Sequence, residues 1–139
     1  MAKKKKVIVL GCGRVGARLA RTLVEAGHEV IVIDSNADQF RRLGEHFPGK
    51  TVMGDGLDID VLAEAGIEGA DVFVAATNGD NTNAMSAQVA CRRFKVCRSI
   101  VRMYDPIRAG AYREEFGINT ICPTEIVSDL IQREIEEGA

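Results

Sequence analysis

The sequence predicts an α/β fold in which helices cover both faces of one doubly wound, parallel, six-stranded sheet. Apolar runs of strand length alternate with segments of helix length along the chain, as in successive βαβ units. One run, "DVFVAAT" at 71–77, is almost continuously apolar, as expected at the buried centre of a parallel sheet. At 139 residues the chain has the size of a single domain. We place this domain at 7–139, after a basic lead-in at 1–6.

The first half of the chain predicts three strands and three helices. An apolar residue at every third or fourth position predicts an amphipathic first helix, which Gly27 ends. Ser35, with Asp38 three residues later, resembles a capping box that opens a second helix ending at Leu43. In order, the predicted elements are a strand at 6–10, a helix at 14–26 with Val15, Leu19, Leu23 and Ala26 on its apolar face, a strand at 29–34, the capped helix, a strand at 50–53 and a helix at 59–65.

The second half predicts three further strand–helix pairs. Asp80 is expected to be a turn or cap residue ahead of a long helix, and Thr124 to be the N-cap of the last one. Pro106 fits the start of the helix between them. The predicted strands are 71–77, 99–103 and 119–122, and the predicted helices are 81–93, 104–117 and 123–137. The last helix carries an apolar stripe that packs either on its own sheet or on a second subunit: Ile126, Val127, Leu130, Ile131 and Ile135.

The turn after the first strand has the pattern of a phosphate-binding loop. Gly11, Gly13 and Gly16 form G-x-G-x-x-G between a strand and a helix, and the exposed amides of the helix N-terminus attract negative charge. Asp34 ends the second strand, where a carboxylate accepts hydrogen bonds from ribose hydroxyls and repels a 2′-phosphate. The pattern therefore favours NAD(H) or an adenine nucleotide over NADP(H). Arg14 is either a solvated residue or a partner for a terminal phosphate.

Other ligand-facing positions follow from the topology, because ligands bind beyond the carboxyl ends of parallel strands. Ser35 follows the second strand and Asp55 with Gly56 follows the third, where they could line an adenine. Thr77 and Asn78 follow the fourth strand and could reach the ribose or diphosphate. Each of these could equally be a turn or cap residue.

Composition excludes some partners. The formal net charge of −2 gives no electrostatic reason to expect nucleic acid. The longest apolar runs are far below the ~20 residues that span a bilayer, so we expect no direct membrane insertion. The lysines at 3–6 are interpreted as a solvated lead-in, with contact to phosphate or lipid headgroups as the alternative.

The four cysteines show no spacing typical of a zinc site. Cys91 and Cys97 are interpreted as small buried residues that stay reduced. Cys12 lies in the glycine turn ahead of a helix, where the pKa of a thiol can fall, so it is either a redox sensor or simply a small residue that suits the turn.

No reactive centre is evident in the sequence. His28 and His46 fall in helix-to-strand connections, at the end of the sheet away from the ligand crevice, and are expected to be surface residues. Tyr104 is followed four residues later by Arg108, so the Tyr-x-x-x-Lys pair of short-chain dehydrogenases is absent. We therefore predict a nucleotide-binding module that is not an enzyme. The alternative is the nucleotide domain of an NAD-dependent oxidoreductase whose catalytic domain is not in this chain.

From Val7 to Ile131 the chain resembles one family, the KTN domain, also called RCK-N or TrkA-N, of potassium-transport regulatory subunits. The resemblance rests on "GCGRVG", "VIDSN", "GDGLDIDVLAEAGIEGADVFVAATNGDNTN", "IVRMYDP" and "FGINTICPTEI". It implies a Rossmann-like cytoplasmic regulator that binds NAD(H), ATP or ADP. The regulator would form homodimers and a ring at the inner face of the cell membrane, beneath a potassium channel or transporter, and change shape with its nucleotide.

The resemblance also implies site residues. Arg102 matches a basic position near the ligand, and Glu125 resembles an acidic residue that helps to bind a divalent cation between subunits. Family members usually continue into a second ligand-binding domain, so this chain is expected to be a stand-alone version, a fragment, or a domain from a channel or antiporter tail. The candidate cofactor-binding residues are Gly11, Cys12, Gly13, Arg14, Val15, Gly16, Asp34, Ser35, Asp55, Gly56, Thr77, Asn78 and Arg102.

Overall fold

The structure, a computed structural model, describes residues 3–138. Residues 1 and 2 of the predicted lead-in and residue 139 of the predicted domain lie outside the described residues. The elements follow the predicted alternation. They are β1 (Lys6–Leu10), α1 (Arg14–Glu25), β2 (Glu29–Asp34), a short 3₁₀ helix (Ala37–Leu43), β3 (Lys50–Met53), α2 (Ile59–Glu64), β4 (Val72–Ala75), α3 (Asp80–Phe94), β5 (Ser99–Arg102), α4 (Pro106–Phe116), β6 (Asn119–Ile121) and α5 (Pro123–Glu137).

The six strands form one parallel sheet in the order β3-β2-β1-β4-β5-β6. The chain moves outward from β1 to β3 and then returns to the other side of β1, so the direction of winding changes between β1 and β4. At such a switch point the loops after the two neighbouring strands diverge and leave a crevice. The predicted doubly wound, six-stranded fold is therefore confirmed.

Alternate residues of the central strands face opposite layers of helices, since side chains along a strand point to alternate faces. In β1, Val7 and Val9 pack with Ala17 and Ala20 of α1 in one core cluster. Ile8 and Leu10 belong to the second cluster, which includes residues of α2, α3 and α4. Strands β1, β2 and β4 thus bury both of their faces, as expected at the centre of a parallel sheet.

Helix α1 is buried along its small residues instead of the predicted apolar stripe. Gly16, Ala17 and Ala20 are buried, because their small side chains let the helix lie close to the sheet. Val15 is 51% exposed, and Leu19 is only half-buried. The larger apolar side chains of α1 thus line an apolar groove of about 410 Å³ beside the β4–β5–β6 half of the sheet.

Helix α5 does not pack on its own sheet. None of its described residues is buried, and its predicted apolar stripe is exposed to solvent. The least exposed member of the stripe, Ile126, is still 46% exposed. An amphipathic helix of this kind usually buries its apolar face against a partner.

Three predicted caps differ in the structure. Asn36, one residue after Ser35, caps the 3₁₀ helix by accepting a hydrogen bond from the amide of Asp38 at 3.0 Å. Thr124 lies inside α5, where its hydroxyl donates to the carbonyl of Tyr104 at 2.8 Å. Asp80 is the first residue of α3, and its carboxylate accepts hydrogen bonds from the loop after β5 instead of capping its own helix. In each case another acceptor or donor nearby competes with the predicted local bond.

The interpretation of Cys91 and Cys97 as buried, reduced residues is wrong. Their sulfurs form a disulfide, Cys97 is exposed and Cys91 is half-buried. The left-handed conformation of Lys95, with φ of 64°, turns the chain back so that Cys97 meets the last turns of α3.

Within residues 3–138, no helix combines the length and the apolar character needed to cross a bilayer.

Candidate functional site

The glycine turn lies at the switch point and has almost no space for side chains. Gly11 has a φ of +107°, and a Cβ there would lie 2.9 Å from the backbone carbonyl of Ala76. A Cβ on Gly16 would overlap the carbonyl oxygen of Gly11, so this glycine lets α1 start directly above the turn. Gly13 is different, because a Cβ there would meet nothing within 4 Å. The space at Gly13 is therefore free for a ligand to approach the backbone.

The N-terminus of α1 opens at this turn. Gly13 is the N-cap of α1, and no side chain of residues 3–138 caps the first-turn amides. These amides carry the positive end of the helix dipole, and the first turn contains no acidic residue to neutralise it. The turn thus offers unpaired donors to an anion.

Asp34 is fixed beside the turn by two backbone amides. One carboxylate oxygen accepts from Cys12 and the other accepts from Asn36, both at 2.8 Å. A carboxylate has about four lone-pair positions, so each oxygen still has capacity for a second donor. The side chain is half-buried at the carboxyl end of β2, where it is held in place and remains accessible.

Eight of the predicted residues come together in one hollow of about 430 Å³ at the carboxyl edge of the sheet. They come from the ends of β1 to β4, which the sheet order places side by side. The predicted residues that line the hollow are Gly11, Gly13, Asp34, Ser35, Asp55, Gly56, Thr77 and Asn78. The other residues in the lining are Leu10, Asn36, Gln39, Gly54, Ala76 and Thr82.

Asp55, Gly56 and Ser35 differ in how they contribute to the lining of the hollow. Asp55 accepts from the amide of Leu57 at 2.8 Å, so its carboxylate has a turn role, yet it is exposed and keeps one oxygen for a ligand. Gly56 is buried against Leu10, and a Cβ there would overlap that side chain. Ser35 is exposed beside Asp34.

The loop after β4 depends on Asn83, a fully buried side chain that the sequence analysis did not single out. Its carbonyl oxygen accepts from the Thr77 amide at 3.1 Å and from the Thr77 hydroxyl at 2.6 Å. Its amide group donates to the carbonyls of Thr77 and Arg102, at 3.0 and 2.9 Å. Asn83 therefore joins the loops after β4 and β5. The sequence did contain a signal for this role. Asn83 lies about one helical turn after Asp80, on the side of α3 that faces the sheet, where a polar side chain needs a buried partner.

Cys12 is buried beneath the turn and does not face the hollow. Its thiol donates to the carbonyl of Gln39 at 3.3 Å. Burial, and then the neighbouring Asp34 carboxylate, raise the pKa of the Cys12 thiol to about 11. Of the two interpretations of Cys12, the raised pKa favours a small residue that suits the turn over a redox sensor, because loss of solvation outweighs the dipole here. At neutral pH Cys12 is a protonated, unreactive thiol.

Four further predicted cofactor residues lie outside the lining of the hollow. Gly16 is buried under the turn, and Arg14 is exposed on the first turn of α1. Val15 and Arg102 line the apolar groove on the far side of the turn. Ala76 lines both the hollow and the groove, so the two are neighbours.

Arg102 is the cation at the boundary between β5 and the groove. Its guanidinium donates to the carbonyl of Ala76 at 3.4 Å and lies 4.5 Å from the ring centre of Tyr104. Its Nε is buried and has no hydrogen-bond partner among the described residues. Burial lowers the pKa of Arg102, and the nearby carboxylate of Asp80 partly opposes that shift. The side chain thus retains an unused donor near the groove.

Glu125, the predicted metal-binding residue, is half-buried at the start of α5. In the described part of the chain, no three His, Cys, Asp or Glu side chains are grouped as metal ligands. Of the two histidines, His46 is exposed as predicted, whereas His28 is half-buried and accepts a hydrogen bond from the Lys5 amide at 3.0 Å.

The strand order, the switch point and the glycine turn define the chain as a Rossmann-like α/β domain. The family model described as "TrkA-N domain" matches residues 7–123. The chain belongs to the TrkA-N domain family.

Several relatives bear the name Trk system potassium uptake protein TrkA, and two of them show the extent of the match. The protein from Streptomyces coelicolor is 44% identical over 134 residues, which are 96% of this chain and 60% of the relative. The protein from Vibrio alginolyticus is 35% identical over 140 residues, covering 94% of this chain and 30% of the relative. The chain therefore spans less than two thirds of the length of these relatives.

Solved structures share the fold at low sequence identity. The TrkA-N domain of the inner membrane protein ybaL from Escherichia coli has a TM-score of 0.82 at 17% identity, covering 96% of this chain and 98% of that one. The Kef CTD of Shewanella denitrificans in its AMP-bound form has a TM-score of 0.79 at 21% identity, covering 96% and 82%. The GsuK channel bound to NAD has a TM-score of 0.68 at 24% identity, covering 87% and 22%.

Proposed function

We propose that this chain is a nucleotide-binding regulatory domain of a potassium uptake system. The observation that carries the proposal is the convergence of uncapped α1 amides, the open space at Gly13 and the fixed carboxylate of Asp34 on one hollow. The amides suit a diphosphate, and the carboxylate suits the hydroxyls of a ribose. Membership of the TrkA-N family, and the names of the relatives, support the link to potassium uptake.

The ligand is NAD(H) or an adenine nucleotide such as ATP or ADP. Asp34 would repel a 2′-phosphate on the ribose, so NADP(H) is disfavoured. AMP and NAD are the ligands named for two structures that share the fold. Diphosphate binding at the α1 amides leaves Thr77, Asn78 and Asp55 to contact the sugar and base sides of the ligand.

The domain would act without chemistry of its own. A ligand shifts a conformational equilibrium only by its difference in affinity for the two states. The nucleotide would therefore bind one assembly shape more tightly and pass that preference to a membrane potassium-transport subunit. The domain would then lie at the inner face of the cell membrane through its partner.

Calorimetric titration of the purified chain is expected to show binding of ADP, ATP, NAD or NADH. NADP should bind at least about tenfold more weakly than NAD, because its 2′-phosphate meets the Asp34 carboxylate. A Gly13→Ala variant should keep the melting temperature of the free protein, since its Cβ has open space, and should lose at least about tenfold in affinity.

The matched control is Gly110→Ala, at a helical glycine of α4 whose added Cβ also meets nothing within 4 Å. This variant should bind nucleotide like the original chain. Absence of heat with all five nucleotides, or equal binding by the Gly13→Ala variant, would contradict the assignment of the hollow.

We also propose that the domain forms a homodimer in which α5 of each copy fills the apolar groove of the other. The groove is lined by apolar side chains of α1, β4 and β5 and has a basic rim that includes Arg98, Arg102 and Lys5. Helix α5 presents the complementary surface, because its apolar stripe is flanked by acidic residues such as Glu125 and Asp129. Reciprocal exchange gives the two-fold symmetry that is commonest among homo-oligomers.

A Leu130→Glu variant is expected to raise the dimer dissociation constant at least about 100-fold, because each copy would bury a carboxylate in an apolar groove. Sedimentation equilibrium measures this constant. Gln132→Glu, an equal change of charge at an exposed polar position of α5, should leave it within about threefold. A strictly monomeric original chain, or equal dissociation constants for both variants, would exclude this interface. Exclusion of this interface would also argue against a divalent cation between subunits at Glu125, because that cation would need ligands from the second copy.

A further inference from the structure

The Cys91–Cys97 disulfide lies at the end of α3 that is remote from the hollow. Helix α3 begins beside the Thr77 loop and runs for 15 residues, so its two ends are ~20 Å apart. The disulfide forms part of the wall of a cavity of about 360 Å³, together with the end of α4 and the start of β6. This cavity shares no lining residue with the hollow.

Cys91 and Cys97 are the accessible cysteines among the described residues, and both line the cavity. Cys97 is exposed and Cys91 is half-buried, whereas Cys12 and Cys122 are buried free thiols. A small molecule in the cavity can therefore reach the disulfide without any opening of the core. Reactive cysteines typically have this partly exposed placement, in contrast to inert buried ones.

The surroundings of the disulfide are strongly positive. The segment 91–98, "CRRFKVCR", contains four cations and no acidic residue. Arg92 and Arg98 from this segment line the cavity itself, and the cavity lining contains no Asp or Glu. Positive charge attracts anions and stabilises a thiolate, which is both the attacking and the leaving species in disulfide exchange.

We propose that Cys91 and Cys97 form a reversible thiol–disulfide exchange site whose substrates are small anionic thiols and their disulfides. The cavity admits the thiol, and Arg92 and Arg98 select it by its negative charge. A disulfide that only stabilises the fold needs neither an adjoining cavity nor flanking arginines. Such a disulfide is best buried, where small thiols cannot reach and reduce it.

The exchange proceeds in two steps. The thiolate of the first small thiol attacks Sγ of Cys97, the Cys91–Cys97 bond breaks, and Cys91 leaves as a thiolate that takes up a proton. A second small thiolate then attacks the small-molecule sulfur of the mixed disulfide, and Cys97 leaves as a thiolate and is protonated. Two small thiols are oxidised to one disulfide while the protein pair gains two electrons and two protons, and the small disulfide reverses the reaction.

The test measures the rate of reduction of the disulfide in the native chain with three thiols that differ in charge. These are 2-mercaptoethanesulfonate, 2-mercaptoethanol and cysteamine, with each rate divided by its thiolate concentration and corrected for nucleophilicity. Alkylation of the released thiols, followed by mass spectrometry of the Cys91 and Cys97 peptides, gives the rate. The anionic thiol is expected to react about tenfold faster than the cationic one, and this preference should shrink at high salt.

An Arg92→Ala/Arg98→Ala variant should lose the preference for the anionic thiol. Its matched control, Arg18→Ala/Arg41→Ala, removes the same total charge from exposed positions of α1 and the 3₁₀ helix and should keep it. Two results would overturn the proposal. One is free thiols at both cysteines after incubation with a small disulfide, and the other is reduction rates that do not depend on the charge of the thiol.

Discussion

Gly16→Ala is expected to cost about 4 kcal/mol or more of the free energy of unfolding. The added methyl group would overlap the carbonyl oxygen of Gly11, and both groups belong to backbone that the strand and helix hold in place. Relief requires α1 to move away from β1, which would also open the contact of Ala17 and Ala20 with the core. Chemical denaturation of the purified variant measures the loss.

The control for this variant is again Gly110→Ala, since both changes add a methyl group to a helical glycine. Position 110 has open space, so alanine should stabilise α4 by about 0.5–1 kcal/mol through its better helix propensity. The same chemical change should thus have opposite signs at the two positions. Equal effects would show that the close approach of α1 to the turn is not what Gly16 provides.

Asn83→Ala is expected to cost about 3–5 kcal/mol and to weaken nucleotide binding. The substitution removes a fully buried side chain and leaves the amide and carbonyl of the half-buried Thr77 and the carbonyl of the half-buried Arg102 without their partner. The Thr77 loop would lose the contact that fixes it at the edge of the hollow. Denaturation gives the loss of stability, and titration with ADP gives the loss of affinity.

The matched control is Asn81→Ala, two residues earlier in the same helix. Asn81 is exposed, and its side chain accepts a hydrogen bond from Arg108. Its loss should cost less than about 1 kcal/mol and leave ADP binding unchanged. If both asparagine variants behaved alike, the joining role of Asn83 between the loops after β4 and β5 would be wrong.

The first crossover could be predicted from the sequence because its signals are local and agree with one another. The apolar run of β1, the three glycines and the carboxylate ending β2 each specify one short stretch of backbone. The right-handed crossover rule then sets the face of the sheet on which each helix lies. The structure adds the order β3-β2-β1-β4, which brings the ends of these strands side by side. The meeting of Asp34, Asp55 and Thr77 in one hollow is a consequence of that order.

The sequence analysis failed for residues whose hydrogen-bond partners are distant in sequence, and for neighbouring residues that are equally good helix caps. Ser35 and Asn36 are both good caps, and the sequence pattern does not reveal that the Asp34 carboxylate holds the Asn36 amide and so favours Asn36 as the cap. The role of Asn83 depends on a carbonyl 19 residues away in sequence. Such bonds exist only once the sheet has formed.

Two larger features could not be predicted for a different reason. The Cys91–Cys97 pairing depends on the left-handed backbone conformation of Lys95. Lysine rarely adopts this conformation, and nothing in the neighbouring sequence predicts it. The exposure of α5 depends on the absence of a contact. An apolar stripe predicts burial, but it does not say against which surface.

Because Ala76 lines both the hollow and the apolar groove, ligands of different length would occupy different parts of this surface. A mononucleotide that fills the hollow ends at Ala76, whereas the nicotinamide half of a dinucleotide would extend past it into the groove where we place α5 of the second copy. Compounds with identical adenosine ends would then differ in whether they compete with that helix. Chemical extension of a single scaffold across Ala76 would therefore be a direct route to molecules that dissociate the proposed dimer.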